Sequence, residues 1–341
     1  MRLSSLGDVV LTTLLLRCLR NRFKETAIDM LTKEQYLPLL DNCDYIDKIL
    51  AYPDESSAKR NFRNELAANK YDTVIDLQNS FSSRFITSTI KPRRLYRFKR
   101  HRINRWIRIH LPTQRHKLQI PPPVAIDYLN TASPLTALDD SKGLVLNVNT
   151  HSVIRIKELL SSYSEKISVS NEVKPLLLSP GARHPTKIWL AEHWSKLMQI
   201  AYEAGYKSQV LIGSKEDFKL LETIKSKIDF PVLNTAGTTS LSELVALVNS
   251  GSALISSDSG PMHIASAVNT PVVAIFGPTT PELGFAPFRC QSEIVQADEL
   301  LTCRPCHPHG PVKCPRKHFR CMKDISPDIV FDALERVMRV A

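Results

Sequence analysis

The chain has 341 residues, 43% of them hydrophobic, with seven cysteines and a formal net charge of +11. That length suits two domains with a core each. No apolar run approaches the ~18–20 residues needed to cross a bilayer and no secretory signal opens the chain, so a soluble globular protein with an anionic partner is expected. Charge alone does not choose among nucleic acid, an anionic membrane surface and a phosphorylated substrate.

In chain order, Met1-Arg2-Leu3-Ser4-Ser5-Leu6-Gly7-Asp8 leads into a helix through Leu14, Leu15 and Leu19, which Ser5 or Asp8 can cap. The positive helix start stabilises the Asp8 carboxylate as the anion. Beside a bound alcohol it can act as a general base; a plain helix cap fits the same residue. Ala27 to Leu31, Ile46 to Tyr52 and Asp72 to Leu77 read as strands, with a helix over Lys59 to Asn69. This βαβ order predicts a parallel sheet flanked by helices. Gln78, Ser80 and Arg84 follow a strand end, where such sheets place ligand groups, although solvated loop residues fit the pattern equally.

Between Lys91 and Arg108 the chain is densely basic, with Arg93, Arg97, Arg102, Arg105 and Arg108 interleaved with Tyr96, Phe98 and Trp106. That chemistry suits single-stranded nucleic acid, sugar rings with phosphates, anionic lipid, or simply a solvated face. Pro121-Pro122-Pro123 marks an extended break, and Ser161 to Asn171 is rich in serine and charge. The boundary is therefore set near residue 170, giving domains 1–170 and 171–325 and a final helix in 326–341.

In the second half, a buried strand Leu176 to Leu178 runs into Ser179-Pro180-Gly181-Ala182-Arg183 and then Lys187-Ile188-Trp189. A helix with Leu190, Trp194, Leu197, Met198 and Ala201 on one face follows. The strand Gln209 to Ile212 ends at a loop carrying Glu216, and Leu241 to Val248 is an apolar helix. Two apolar runs, Ser252 to Ile255 and Pro271 to Phe276, bracket Ser256-Ser257-Asp258-Ser259-Gly260-Pro261-Met262-His263. Gly260 admits close backbone approach and Pro261 suits the first helical turn, so the free N–H groups there suit a phosphate. A well-capped turn is the plainer alternative. Arg183 and Lys187 can neutralise a diphosphate.

Cys303, Cys306, Cys314 and Cys321 are separated by two, seven and six residues. Such thiols suit a small structural zinc site in a reducing compartment, or form an irregular loop of buried thiols. Ile329, Val330, Ala333, Leu334 and Val337 make the last helix amphipathic.

Three of these stretches, taken together, resemble the bacterial glycosyltransferase family 9. They are Ser4-Ser5-Leu6-Gly7-Asp8-Val9-Val10-Leu11-Thr12, Pro180-Gly181-Ala182-Arg183 with Lys187 and Trp189, and Asp258-Ser259-Gly260-Pro261-Met262-His263 with Phe276-Gly277-Pro278-Thr279. The family's best-known members are ADP-heptose:lipopolysaccharide heptosyltransferases. The resemblance implies a GT-B fold of two Rossmann-like domains facing a cleft, with the acceptor on the first, the donor on the second, and the last helix packing back on the first. It implies Asp8 as catalytic base and Lys187 as a donor-phosphate ligand. It also implies Asp258, Ser259, Gly260 and His263 holding sugar and diphosphate, with Ser179, Gly181, Arg183 and Glu216 around them. Gln78, Ser80, Arg84, Arg93 and Arg97 are the acceptor-side candidates.

No catalytic metal is implied. The expected reaction is inverting transfer of heptose from ADP-heptose to a Kdo/heptose–lipid A acceptor, on the cytoplasmic face of the inner membrane, with no nucleic acid involved. A nucleotide-sugar epimerase on the same fold and a nucleic-acid-binding protein are the alternatives. The family places a complete apolar strand before its first motif, where this chain supplies Met1-Arg2-Leu3, so a truncated first strand is expected.

Overall fold

The computed structural model describes residues 1–297 and 301–339. It divides into two compact units, one formed by Met1–Arg100 and Pro122–Asn147, the other by His101–Pro121 and the chain from Val148 onward.

In the first unit, β1 (Asp29–Lys33) pairs in parallel with β2 (Lys48–Tyr52), and β3 (Thr73–Asp76) with β4 (Arg94–Arg97). Met1 to Leu3 link the two pairs. The Arg2 N–H donates to the Leu31 carbonyl at 3.0 Å and the Leu77 N–H to the Met1 carbonyl at 3.1 Å. The Met1 amine donates to the Ile75 carbonyl at 2.7 Å. Three residues thus run along β3 as a short first strand would, and leave the sheet edge at its C-terminal end, at Ser4 and Ser5. Leu3 packs with Leu31, Leu50 and Tyr52, which the strand alternation turns inward, and with Leu66 and Ile86 from the helices that cover them. The helix expected after Asp8 is two helices, Leu6–Leu11 and Thr13–Arg22. Thr12 separates them, its hydroxyl donating to the Val9 carbonyl at 2.6 Å.

The second unit holds a six-stranded parallel sheet. Its strands are β5 (Leu176–Ser179), β6 (Gln209–Leu211), β7 (Leu233–Asn234), β8 (Ala253–Ser257), β9 (Val272–Phe276) and β10 (Ser292–Gln296). They lie in the order β10-β9-β8-β5-β6-β7. The central strands are buried along their length because helices cover both faces, which is why they read as unbroken apolar runs. Counted within the unit, the order is the 3-2-1-4-5-6 arrangement of dinucleotide-binding sheets, and it reverses between β5 and β8. Trp189 and Trp194 meet edge to face at 5.3 Å in the core of this unit.

Two domain assignments change. The boundary falls after Asn147 rather than near 170, because the helix Thr150–Lys166 packs on the helix Leu241–Ser250. Tyr163 on that helix donates to the carbonyls of Gln209 at 2.9 Å and Pro231 at 3.0 Å. The final helix, Pro327–Arg339, buries Val330, Ala333, Leu334 and Val337 in the second unit's own core, against β9, β10 and the helix Ala191–Glu203. Its apolar face is used there. Residues 340 and 341 of the expected 326–341 segment lie outside the described residues.

The basic stretch is likewise divided. Arg94–Arg97 is strand β4 of the first unit, while the helix Arg102–His110 belongs to the second. There Arg105 lies over the Phe285 ring at 5.5 Å, and Arg108 donates to the carbonyls of Leu118 and Gln119 at 3.0 Å each.

Candidate active site

Asp8 occupies the third position of the helix Leu6–Leu11, and its carboxylate turns back on the residues that precede the helix. Oδ2 accepts the Ser5 N–H at 3.0 Å and the Ser5 hydroxyl at 2.8 Å, and the Arg2 guanidinium stands 2.7 Å away. Oδ1 accepts the Tyr128 hydroxyl at 2.9 Å. Burial pushes the Asp8 carboxyl up, but the Arg2 charge and the Ser5 hydrogen bonds outweigh it and hold the group below the usual carboxylate range. Asp8 is thus kept ionised, and Oδ1 is the less engaged oxygen.

The loop after β3 supports this arrangement. Asp76, fully buried, accepts the N–H groups of Gln78 at 3.1 Å and Asn79 at 2.8 Å, and the Ser83 hydroxyl at 2.9 Å. The Gln78 side-chain carbonyl in turn accepts the Leu3 and Ser4 N–H groups at 3.1 and 3.3 Å. Gln78 is therefore a brace for the turn that carries Asp8. Ser80 caps the helix Phe81–Ile90 through Ser83, and Arg84 donates to the Asn79 side chain at 3.0 Å from an exposed position. Arg97 is tied to the Thr87 hydroxyl at 2.8 Å. Arg93 precedes β4, at the N-terminal end of the strands and so at the opposite end from Asp76 and Gln78.

In the second unit, the turns that leave β5 and β8 diverge at the switch point of the sheet, where doubly wound folds bind their ligands. Ser179 pairs with Ser256 across these strands, and the Ser257 hydroxyl donates to the Pro180 carbonyl at 3.2 Å. This brings the Lys187 ammonium to 2.7 Å from Asp258 Oδ2, with both side chains largely buried. Thr279, on the loop after β9, donates its hydroxyl to the same oxygen at 2.6 Å. Ser259 precedes the helix Gly260–Ala267, whose buried face includes His263. Gly181 is required by close packing, since a Cβ there would lie 2.4 Å from the Asp217 carboxylate. Arg183 is exposed on the same loop, and Glu216 is exposed on the turn after β6, separated from the Asp258 strand by β5.

The chain around Gly310 passes over Lys187; a Cβ at Gly310 would stand 3.1 Å from the Lys187 side chain and 3.2 Å from that of His184. His184 and His307 approach each other with ring centroids 6.4 Å apart. Burial and the neighbouring Lys187 charge push both imidazoles below their ordinary range, with Arg183 adding to the effect at His184. The cations Lys187 and Arg183 beside these rings make the region suited to an anionic ligand. Thr279, His184 and His307 were not among the expected site residues, and neither were Arg2 and Tyr128 around Asp8.

Of the two readings of the cysteines, a structural zinc site and a loop of buried thiols, the described residues do not gather a ligand set for the first. Among the described residues no group of three or more His, Cys, Asp or Glu side chains could hold a metal ion. Cys303 Sγ lies 3.7 Å from His318 Nε2, and the Cys306 thiol points to the Pro278 carbonyl at 3.8 Å. Burial, with the neighbouring thiols, pushes Cys306 up to about 11 and Cys321 to about 12.

The whole chain is similar to solved glycosyltransferases. It matches a glycosyl transferase family 9 structure from Veillonella parvula with a TM-score of 0.80 at 21% identity, over 99% of this chain and 96% of that one. It matches the E. coli ADP-heptose lps heptosyltransferase II structure with a TM-score of 0.73 at 22% identity, over 100% and 99%. These likenesses and the two α/β units give the chain the GT-B fold. The sequence profile described as Glycosyltransferase family 9 (heptosyltransferase) matches residues 59–309, and the chain belongs to that family. Among its relatives, Lipooligosaccharide heptosyltransferase 2 of Haemophilus ducreyi is 27% identical over 98% of this chain and 97% of its own.

Proposed function

We propose that the protein is an inverting heptosyltransferase that moves heptose from ADP-heptose to the Kdo/heptose–lipid A inner core of lipopolysaccharide. The observation that carries this reading is the Lys187 ammonium held against Asp258 at the switch point of the second sheet, in a chain whose family is named for heptosyl transfer. In the reaction, an acceptor hydroxyl oxygen bonds to the anomeric carbon as the bond from that carbon to the diphosphate oxygen breaks. The hydroxyl proton passes to Asp8 Oδ1, and the charge on the departing ADP is met by Lys187 and the N–H groups at the start of the helix Gly260–Ala267. Because Arg2 depresses Asp8, the carboxylate is a weak base, and proton transfer is expected late, once the oxygen–carbon bond has begun to form.

Among the described residues no helix is long and apolar enough to cross a membrane. Contact with the inner face of the cytoplasmic membrane is supported by the helix Arg102–His110, which exposes Ile103 and Trp106 beside Arg102. This pairing of apolar and basic groups favours anionic lipid over nucleic acid.

The test is a donor screen on a heptose-deficient core acceptor, with product read by mass spectrometry. A heptose mass increment from ADP-heptose, and no increment from UDP-sugars, is expected. Transfer from a UDP-sugar alone would reject the donor assignment. Conversion of the donor to a new sugar nucleotide without acceptor would favour the epimerase.

A further inference from the structure

The back of the donor turn is gathered by one buried arginine. Arg304 is 6% exposed, in the segment that follows the last strand. Its Nη2 donates to the carbonyls of Phe276 at 2.9 Å and Thr279 at 3.0 Å, and to the Gln296 side chain at 3.2 Å. Nη1 donates to the Ala297 carbonyl at 3.2 Å, and Nε to that of Gly277. Phe276 and Gln296 end the paired strands β9 and β10, so these carbonyls project from adjacent strand ends and the loop after β9. A planar fork of five N–H donors can satisfy so many converging acceptors; a point charge on a flexible stem cannot.

The loop held in this way carries Thr279, whose hydroxyl donates at 2.6 Å to Asp258 Oδ2. The same oxygen holds Lys187 Nζ at 2.7 Å. The loop is confined from other sides too. A Cβ at Gly277 would lie 2.4 Å from the Met322 side chain, and the Cys306 N–H donates to the Pro278 carbonyl at 3.1 Å. A shift of Thr279 therefore passes directly to Asp258 and to the ammonium paired with it.

We propose that Arg304 is a positioning residue of the donor site: through Thr279 and Asp258 it sets where the Lys187 ammonium stands. The proposal rests on the reading of Lys187 as a donor-phosphate ligand. Arg304→Lys keeps the charge but cannot span the strand ends and the loop together, so Thr279 loses its fixed place.

The experiment measures the Kd for ADP, and kcat and KM for ADP-heptose, in the full chain. The variants are Arg304→Lys, Thr279→Val, their combination, and Lys187→Met. Arg304→Lys is expected to weaken ADP about tenfold, the scale of one charge-assisted contact. Thr279→Val should have a similar effect, and the double variant should be no weaker than the weaker-binding single, because both act through one connection. Thr279→Ser, which keeps the hydroxyl, should restore binding relative to Thr279→Val. Should Arg304→Lys fail to fold, Arg304→Gln takes its place in the cycle. Losses that multiply in the double variant, or wild-type ADP binding in the Arg304 variant, would overturn the proposal. Normal ADP binding by Lys187→Met would instead remove the donor-site reading, and the proposal with it.

Discussion

The Arg2 guanidinium stands 2.7 Å from Asp8 Oδ2, and both side chains are largely buried. A cation and the carboxylate proposed as the base are thus set on either side of the Ser4-Ser5 turn, six residues apart in sequence. Removing the cation by Arg2→Met leaves burial to dominate, so the Asp8 carboxyl rises. The acidic limb of the kcat/KM profile should move to higher pH. An unmoved limb would detach Arg2 from the base. The sign for stability follows from the depressed folded carboxyl. The Asp8 contribution is present above its unfolded value of about 3.9 and lost as pH falls through the folded value. The gap in thermal midpoint between wild type and Arg2→Met should therefore narrow in strong acid.

Asp8→Asn keeps the shape that Ser5 and Tyr128 surround and removes the proton acceptor. Its kcat should fall by ~10²–10⁴, the usual range for general-base removal, with the Kd for ADP unchanged. Steady-state kinetics beside calorimetric ADP titration separates the two quantities. A loss confined to ADP binding would place Asp8 on the donor side.

Much of this arrangement was legible in the sequence, for a physical reason. Strand–turn–helix junctions are local, so the Asp8, Lys187 and Asp258 turns could be placed from capping residues and apolar runs. Their partners could not. Tyr128 reaches Asp8 across 120 residues and Thr279 reaches Asp258 across 21, and nothing local in either segment reports that contact. The domain boundary was misplaced for the same reason. The serine-rich stretch near residue 165 resembles a linker, but it ends a helix whose partner, Leu241–Ser250, comes much later in the chain. Gln78 is polar and sits at a strand end, but the groups it holds, the Leu3 and Ser4 N–H groups, lie at the far start of the chain.

Gly181→Ala tests the packing of the donor loop. The added methyl would meet the Asp217 carboxylate, which is not free to move because it accepts the Ser214 N–H and hydroxyl at 2.8 Å each. A destabilisation of ~1–3 kcal/mol is expected in denaturant titrations, together with weaker ADP binding. Unchanged stability would show that the loop has slack.

Trp189→Phe examines the core of the second unit, two residues after Lys187. The fully buried indole donates to the carbonyls of Met322 at 3.1 Å and Ile325 at 3.2 Å. Phenylalanine leaves both without that donor, at a cost of about 1–3 kcal/mol. The thermal midpoint should fall by several degrees. A wild-type midpoint would mean that other donors take over those carbonyls.

The central claim is that this chain transfers a sugar, with Asp8 as the base that activates the acceptor. It is tested most directly by ADP release from ADP-heptose, measured with and without a heptose-deficient core acceptor, in wild type and Asp8→Asn. The account predicts release that requires acceptor, matches the heptose gained by it, and collapses in the variant. Equal release in both proteins, or release that ignores the acceptor, would contradict it.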